Sequence, residues 1–167
     1  MAGAPATAVC ASAIIGTHRW FAPTMTDTEF LAAFETPSLP FAQWTHRAHV
    51  KVAFLYLRDR PLAEALDRVR AGIRAFNAAN AVPESATSGY NETTTVAFVR
   101  LVAATMAAYG EAFPTPTADA FCDAHPQLMT RNALRLFYSP QRRMDPRAKT
   151  EFVEPDLSPL PRIVSKT

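Results

Sequence analysis

Glycine is scarce in this chain, with five residues set against fourteen prolines. Tight β-hairpin turns draw on glycine, so that balance predicts helices punctuated by prolines. Strand-like alternation of useful length is also missing, as are internal repeats and low-complexity tracts. The two cysteines, Cys10 and Cys122, form neither a CxxC motif nor a disulfide framework, which points to a reducing, cytoplasmic setting. No apolar run is long enough to span a bilayer. Residues 1–15 are rich in Ala and other small residues, but no Lys or Arg among them precedes the apolar part, so the secretory signal pattern is poor. The formal charge of +2 is too small to argue for nucleic acid, and no basic platform interleaved with aromatics accompanies it. A glycine-rich phosphate loop and a G-x-S-x-G elbow are both lacking. With membrane and nucleic acid set aside, the expected partner is a small molecule, and a homodimer is left open.

What is present fits a helical protein. Of 167 residues, 49% are hydrophobic and 19% charged, enough apolar material for one real core. Residues 1–24 read as a loosely held N-terminal arm or the product of an upstream start codon, and residues 25–167 as a single helical domain. Thr26 with Glu29 makes a capping box ahead of Phe30, Leu31 and Phe34, and that first helix stops before Pro37. Pro61 opens a helix to about Asn80, where Leu62, Leu66, Val69, Ile73 and Phe76 form one stripe. Its charged residues, among them Arg70 and Arg74, read as a solvated face. Another helix, 92–109, follows Gly89-Tyr90-Asn91, with Phe98, Val102, Met106 and Tyr109 inward and Ala97, Arg100 and Ala104 outward. Thr117 caps a short helix ending near His125, and Leu128 to Tyr138 reads as a further amphipathic helix. From Ser139 the chain becomes turns and a proline-rich extended tail fixed by Phe152, Val153 and Leu157. The fold class is an all-α bundle of five or six helices.

The most apolar long run, Phe41 to Arg58, carries two histidines. As a helix over 45–58 it sets Arg47, Lys51 and Arg58 on a wet face, since each residue turns by about 100°. His49 then points the other way, in line with Val52, Ala53 and Tyr56, with His46 on the flank. An imidazole aimed into an apolar interior needs a partner, because burying an unbonded polar group costs roughly 1–3 kcal/mol. Packing this helix against 92–109 would form a pocket from Phe41, Trp44, Tyr56, Tyr90 and Phe98.

Three readings of that pocket stand open. In the first, His46, His49 and Glu92 make a two-histidine, one-carboxylate set for a divalent metal such as Fe or Zn, within an oxidoreductase or hydrolase. In the second, there is no metal: Glu92 has a raised pKa, His49 exchanges protons near neutrality, and Tyr56, Tyr90 and Thr95 orient a substrate. Such a protein is a lyase, isomerase or cyclase, or a small-ligand binder. The third is a helical interaction module, in which His49 is bonded within the core while Asn91 caps a helix and Glu92 favours its dipole.

The stretches Trp44–Val50 (WTHRAHV), Gly89–Thr95 (GYNETTT) and Phe152–Pro161 (FVEPDLSPLP) resemble those of a family of small, uncharacterised microbial helical proteins. The resemblance covers about residues 25–161. It implies a shared pocket and no particular reaction. In that family the position of Asn91 is commonly histidine; if the histidine serves as a ligand there, this chain has lost it.

Two further features remain. Cys122 reads as a small core residue, since His125 leaves its helix at Pro126. Arg131, Arg135, Arg142, Arg143, Arg147 and Lys149 give the last third a basic cast. Either one of them holds an anionic substrate over the bundle, or they form a solvated surface paired with Asp145, Glu151 and Glu154.

Overall fold

The chain's structure, a computed structural model, describes residues 25–163 except 111 and 113; the arm expected over 1–24 lies outside the described residues. It is all-α. The elements are α1 (Asp27–Glu35), α2 (His46–Asp59), α3 (Leu62–Ala79), α4 (Glu92–Tyr109), α5 (Ala118–Ala124) and the single turn α6 (Pro140–Arg143). Short 3-10 segments stand at Phe41–Gln43, Pro126–Leu128, Arg131–Leu136 and Pro146–Lys149, and no strand occurs among the described residues.

The helix starts follow their capping chemistry. Thr26 Oγ1 accepts the Glu29 amide at 3.2 Å while Glu29 Oε2 takes the Thr26 amide at 2.8 Å, closing the capping box. Thr45, Asn91 and Thr117 each accept an amide of the first turn they precede, a contact worth about 1 kcal/mol. Pro61 stands at the cap of α3 rather than inside it.

α2 packs against α3, α4 and α5, and α3 packs against α4. The apolar stripe of α3 is inside as its period demands, with Phe76 fully buried. One core runs from Phe30 to Tyr138 and joins all of these helices. Each such side chain stabilises by roughly 1.5–3 kcal/mol when fully buried. Gly72 lets α1 approach α3, for a Cβ there would stand 2.4 Å from Phe34 Cε1. Phe34 in turn stacks on Trp44 at 4.9 Å, so this contact carries through to the pocket wall.

Four sequence expectations need correction. The face of α2 carrying Arg47 and Lys51 is not simply wet. Both cations reach Asp119 on α5 at 2.9 Å, Arg47 also meets Asp123 at 2.8 Å, and the Lys51 side chain is only 11% exposed. Ion pairing to a second helix lets a charged stripe serve as an interior seam. α4 is covered on most sides over its first three turns: Ala97 is buried like Phe98 and Val102, while Tyr109 is half exposed. An alanine carries too little polarity to mark an outer face. Residues 128–138 form 3-10 turns instead of one amphipathic helix. There Thr130 Oγ1 takes the Asn132 amide, and the amides of Phe137 and Tyr138 both turn back to Leu134 O. Finally, Arg70 and Arg74 are not a free solvated face, because they meet Glu92.

The last described stretch docks through its backbone. Thr93 Oγ1 donates to Glu151 O at 2.8 Å and accepts the Val153 amide at 2.9 Å, and Tyr138 Oη donates to Val153 O at 3.1 Å. Arg100 lies 4.6 Å over the Phe152 ring.

Candidate functional site

A cavity of about 990 Å³ opens between α2, α3 and α4 and the turns around 131–149. Its apolar wall includes Val50, Val69, Ile73, Phe98, Val99 and Val102, and both His46 and His49 line it. Of the five pocket residues expected from sequence, Phe41, Trp44, Tyr90 and Phe98 lie on this cavity and Tyr56 does not. Tyr56 is buried elsewhere, donating its hydroxyl to Glu35 at 2.9 Å. Burial and that carboxylate raise its pKa far above the ordinary tyrosine value, so it is a structural phenol.

The two imidazoles are held in defined tautomers. His49 Nδ1 stands 2.7 Å from Thr45 O, and a carbonyl only accepts, so Nδ1 carries the proton and Nε2 the lone pair. Trp44 lies against the ring at 3.9 Å between centroids. His46 is the converse case. Its Nε2 donates to Leu128 O at 2.9 Å, which leaves Nδ1 with the lone pair, and its ring meets Phe98 in a T-shaped contact at 4.7 Å. Desolvation pushes His49 down to about 4, outweighing the Thr45 bond, with the neighbouring His46 and Arg131 charges pushing the same way. Burial also lowers His46. Both rings are therefore neutral at neutral pH. The expectation that His49 titrates near neutrality is corrected: a shared carboxylate would have raised its pKa, and none is there.

That carboxylate is engaged elsewhere. Glu92 is buried, with Oε1 2.6 Å from Arg70 Nη2 and Oε2 accepting Tyr90 Oη at 2.6 Å. Arg74 stands 3.8 Å away and covers the Tyr90 ring. Burial alone would raise the Glu92 pKa, but its bonds to Arg70 and Tyr90 outweigh it and hold the group below the usual carboxylate range. The raised pKa expected for an acid–base partner is thus corrected, because two hydrogen bonds and a paired cation favour the ionised form. Burial, with the Glu92 hydrogen bond, raises the Tyr90 phenol to about 12.

The residues expected as metal ligands therefore fall into two groups, His46 and His49 on the cavity and Glu92 on Arg70. Among the described residues no three His, Cys, Asp or Glu side chains stand together as a metal-holding group. As arranged, the donors do not fit a two-histidine, one-carboxylate centre: each imidazole has one nitrogen left, and Glu92 would have to abandon Arg70 and Tyr90.

Several lining groups escaped the sequence reading. Asn77 and Thr94 line the cavity beside Asn91 and Thr95. Asn77 had a visible signal, a polar residue four places after Ile73 on an otherwise apolar stripe. Arg131, Arg135, Arg143 and Lys149 also line it, and no Asp or Glu among the described residues does. Cys122 is a buried core thiol, raised to about 11 by burial, and His125 is buried against Phe121. No helix among the described residues is long and apolar enough to cross a membrane. No protein-family model matches the chain, and no curated protein or solved structure is significantly similar to it.

Proposed function

We propose that the cavity between α2 and α4 is the site of a small-molecule enzyme working by acid–base chemistry, with His49 as the proton acceptor. The observation that carries this is the fixed tautomer of His49. Its inner nitrogen donates to Thr45 O at 2.7 Å, so the outer nitrogen brings a lone pair to a residue lining a cavity walled largely by apolar side chains. The ring is neutral at neutral pH, and because a pKa of about 4 makes it a weak base, a bound anion that raises that pKa would bring it into its working range. The tilted contact with Trp44 and the Thr45 bond hold the ring, which is what a base needs for orientation. Thr94, Thr95, Asn77 and Asn91 supply hydrogen-bonding groups around it. The reactions that suit such a base are proton abstractions within a lyase, isomerase or cyclase. Glu92 then keeps Tyr90 and the start of α4 in place.

A screen of small carbonyl compounds and organic acids, followed by NMR in deuterated buffer, tests this. Exchange of a carbon-bound hydrogen that is lost in H49F and kept in E92Q supports the base. Exchange indifferent to His49, or none with any compound that binds, removes it. Elemental analysis of the same protein addresses Fe and Zn, the metals expected of a histidine pair. Near-stoichiometric metal that disappears in H49A would replace the metal-free chemistry with a metal-dependent one.

A further inference from the structure

The cavity has an uncompensated charge. Among the described residues four cations line it and no carboxylate does. Lys149 is already neutralised, with Nζ 3.0 Å from Glu84 Oε2. Arg131, Arg135 and Arg143, by contrast, make no ion pair with any described residue, whereas Arg47, Arg58, Arg60, Arg70 and Arg147 each meet a carboxylate. Guanidinium groups match carboxylate and phosphate geometry, two N–H bonds to two oxygens. Arg131 and Arg135 share one 3-10 segment, Arg131–Leu136. The bond from His46 to Leu128 O ties the chain just ahead of that segment to α2. The charge of Arg131 is felt at both imidazoles, so the cationic wall and the base belong to one site. The lining also has an apolar part, from Val69 and Ile73 on α3 to Phe98 and Val102 on α4. Its 990 Å³ stands at the upper end of the roughly 300–1,000 Å³ of ligand pockets.

We propose that the cavity takes an amphiphilic organic anion, its carboxylate or phosphate head held by Arg131 and Arg135 beside the histidines and its apolar body against α3 and α4. This rests on the proposed small-molecule site and adds the class of substrate. The neutral lone pair of His49 suits such a ligand, since a carboxylate or phosphate monoester is ionised at neutral pH and its charge is balanced by arginine. Arg143 and Lys149 border the same space and would admit a longer or second anionic group.

Calorimetric titration of the full chain with octanoate, octyl phosphate, 1-octanol and inorganic phosphate tests the assignment. Octanoate or octyl phosphate should bind at least tenfold tighter than octanol, and the tighter of the two names the head group. The double variant R131A/R135A should erase that preference. Both arginines are exposed, so the fold should survive, as circular dichroism would verify, and R143A should weaken binding less. Equal binding of octanol, unchanged binding in R131A/R135A, or no binding of any octyl compound overturns the proposal. Inorganic phosphate binding as tightly as octyl phosphate overturns the apolar body. Anion binding that depends on the arginines, with no hydrogen exchange in any bound compound, keeps the substrate class while the base falls. Hydrogen exchange without anion preference does the reverse.

Discussion

Acid should unfold this protein early, and His49 should be a main reason. Its pKa falls from the ordinary 6.5 to about 4 in the folded chain. Between those values the unfolded chain binds more protons than the folded one, so stability is full above pH 6.5 and is lost as pH falls toward 4. At pH 5 the loss from this one group is about 2 kcal/mol relative to pH 7.5, and it approaches roughly 3 kcal/mol once pH is below 4. For a chain of this size 2 kcal/mol corresponds to a drop of about 4–8 °C in melting temperature. The window matters. Glu92 and Asp119, both held below the usual carboxylate range, contribute stability that is lost only at lower pH, around their unfolded values and below. His46 and His125 are also lowered by burial and add to the loss, so the wild-type slope alone is not diagnostic.

The variant H49F isolates the term. Phenylalanine keeps a ring against Trp44, and the Thr45 carbonyl retains the His49 backbone amide as donor at 3.2 Å. Urea denaturation of both proteins at pH 7.5 and pH 5 gives a double difference, expected to be about 2 kcal/mol smaller a loss in H49F. If the two proteins lose the same stability, His49 titrates near its ordinary value. The desolvated, neutral base would then be wrong.

Three other perturbations have worked directions. Arg70→Ala leaves Glu92 buried with Tyr90 and with Arg74 at 3.8 Å, and should cost roughly 2–4 kcal/mol, read as a lower urea midpoint. Glu92→Gln keeps an acceptor for Tyr90 and should cost less. Thr93→Val removes the hydroxyl between Glu151 O and the Val153 amide. A loss of about 1–3 kcal/mol is expected, with faster hydrogen exchange at Val153 than elsewhere in the core. Gly72→Ala drives a methyl into Phe34 and should destabilise by about 1–3 kcal/mol through overpacking. Because Phe34 stacks on Trp44, ligand affinity should fall with it.

Local chemistry explains which parts of this molecule were legible in its sequence. A capping box needs only residues three apart, so Thr26 and Glu29 marked α1 correctly, and the spacing of Val69, Ile73 and Phe76 marked the inner face of α3. His46 and His49 fell on the cavity because three residues on a helix bring two rings to one side. Glu92 was misplaced for the opposite reason. Its surroundings are set by Arg70, 22 positions away, and nothing local tells a helix-start glutamate bonded to an arginine from one turned toward a histidine. The arginines at 131, 135 and 143 posed the same difficulty in reverse. Their abundance was visible, but the orientation of Arg131 and Arg135 depends on a 3-10 segment that periodicity read as a helix, and the lack of carboxylate partners among the described residues is a property of the assembled fold. Sequence could therefore locate the two histidines, while their protonation and the sign of the charge facing them came only with tertiary structure. That sign separates the chemistries weighed for this cavity. A carboxylate beside His49 would have raised its pKa and completed a metal-binding set. Burial, with the Arg131 charge pushing the same way, lowers that pKa instead, and the proposed anion would answer the arginines on the wall.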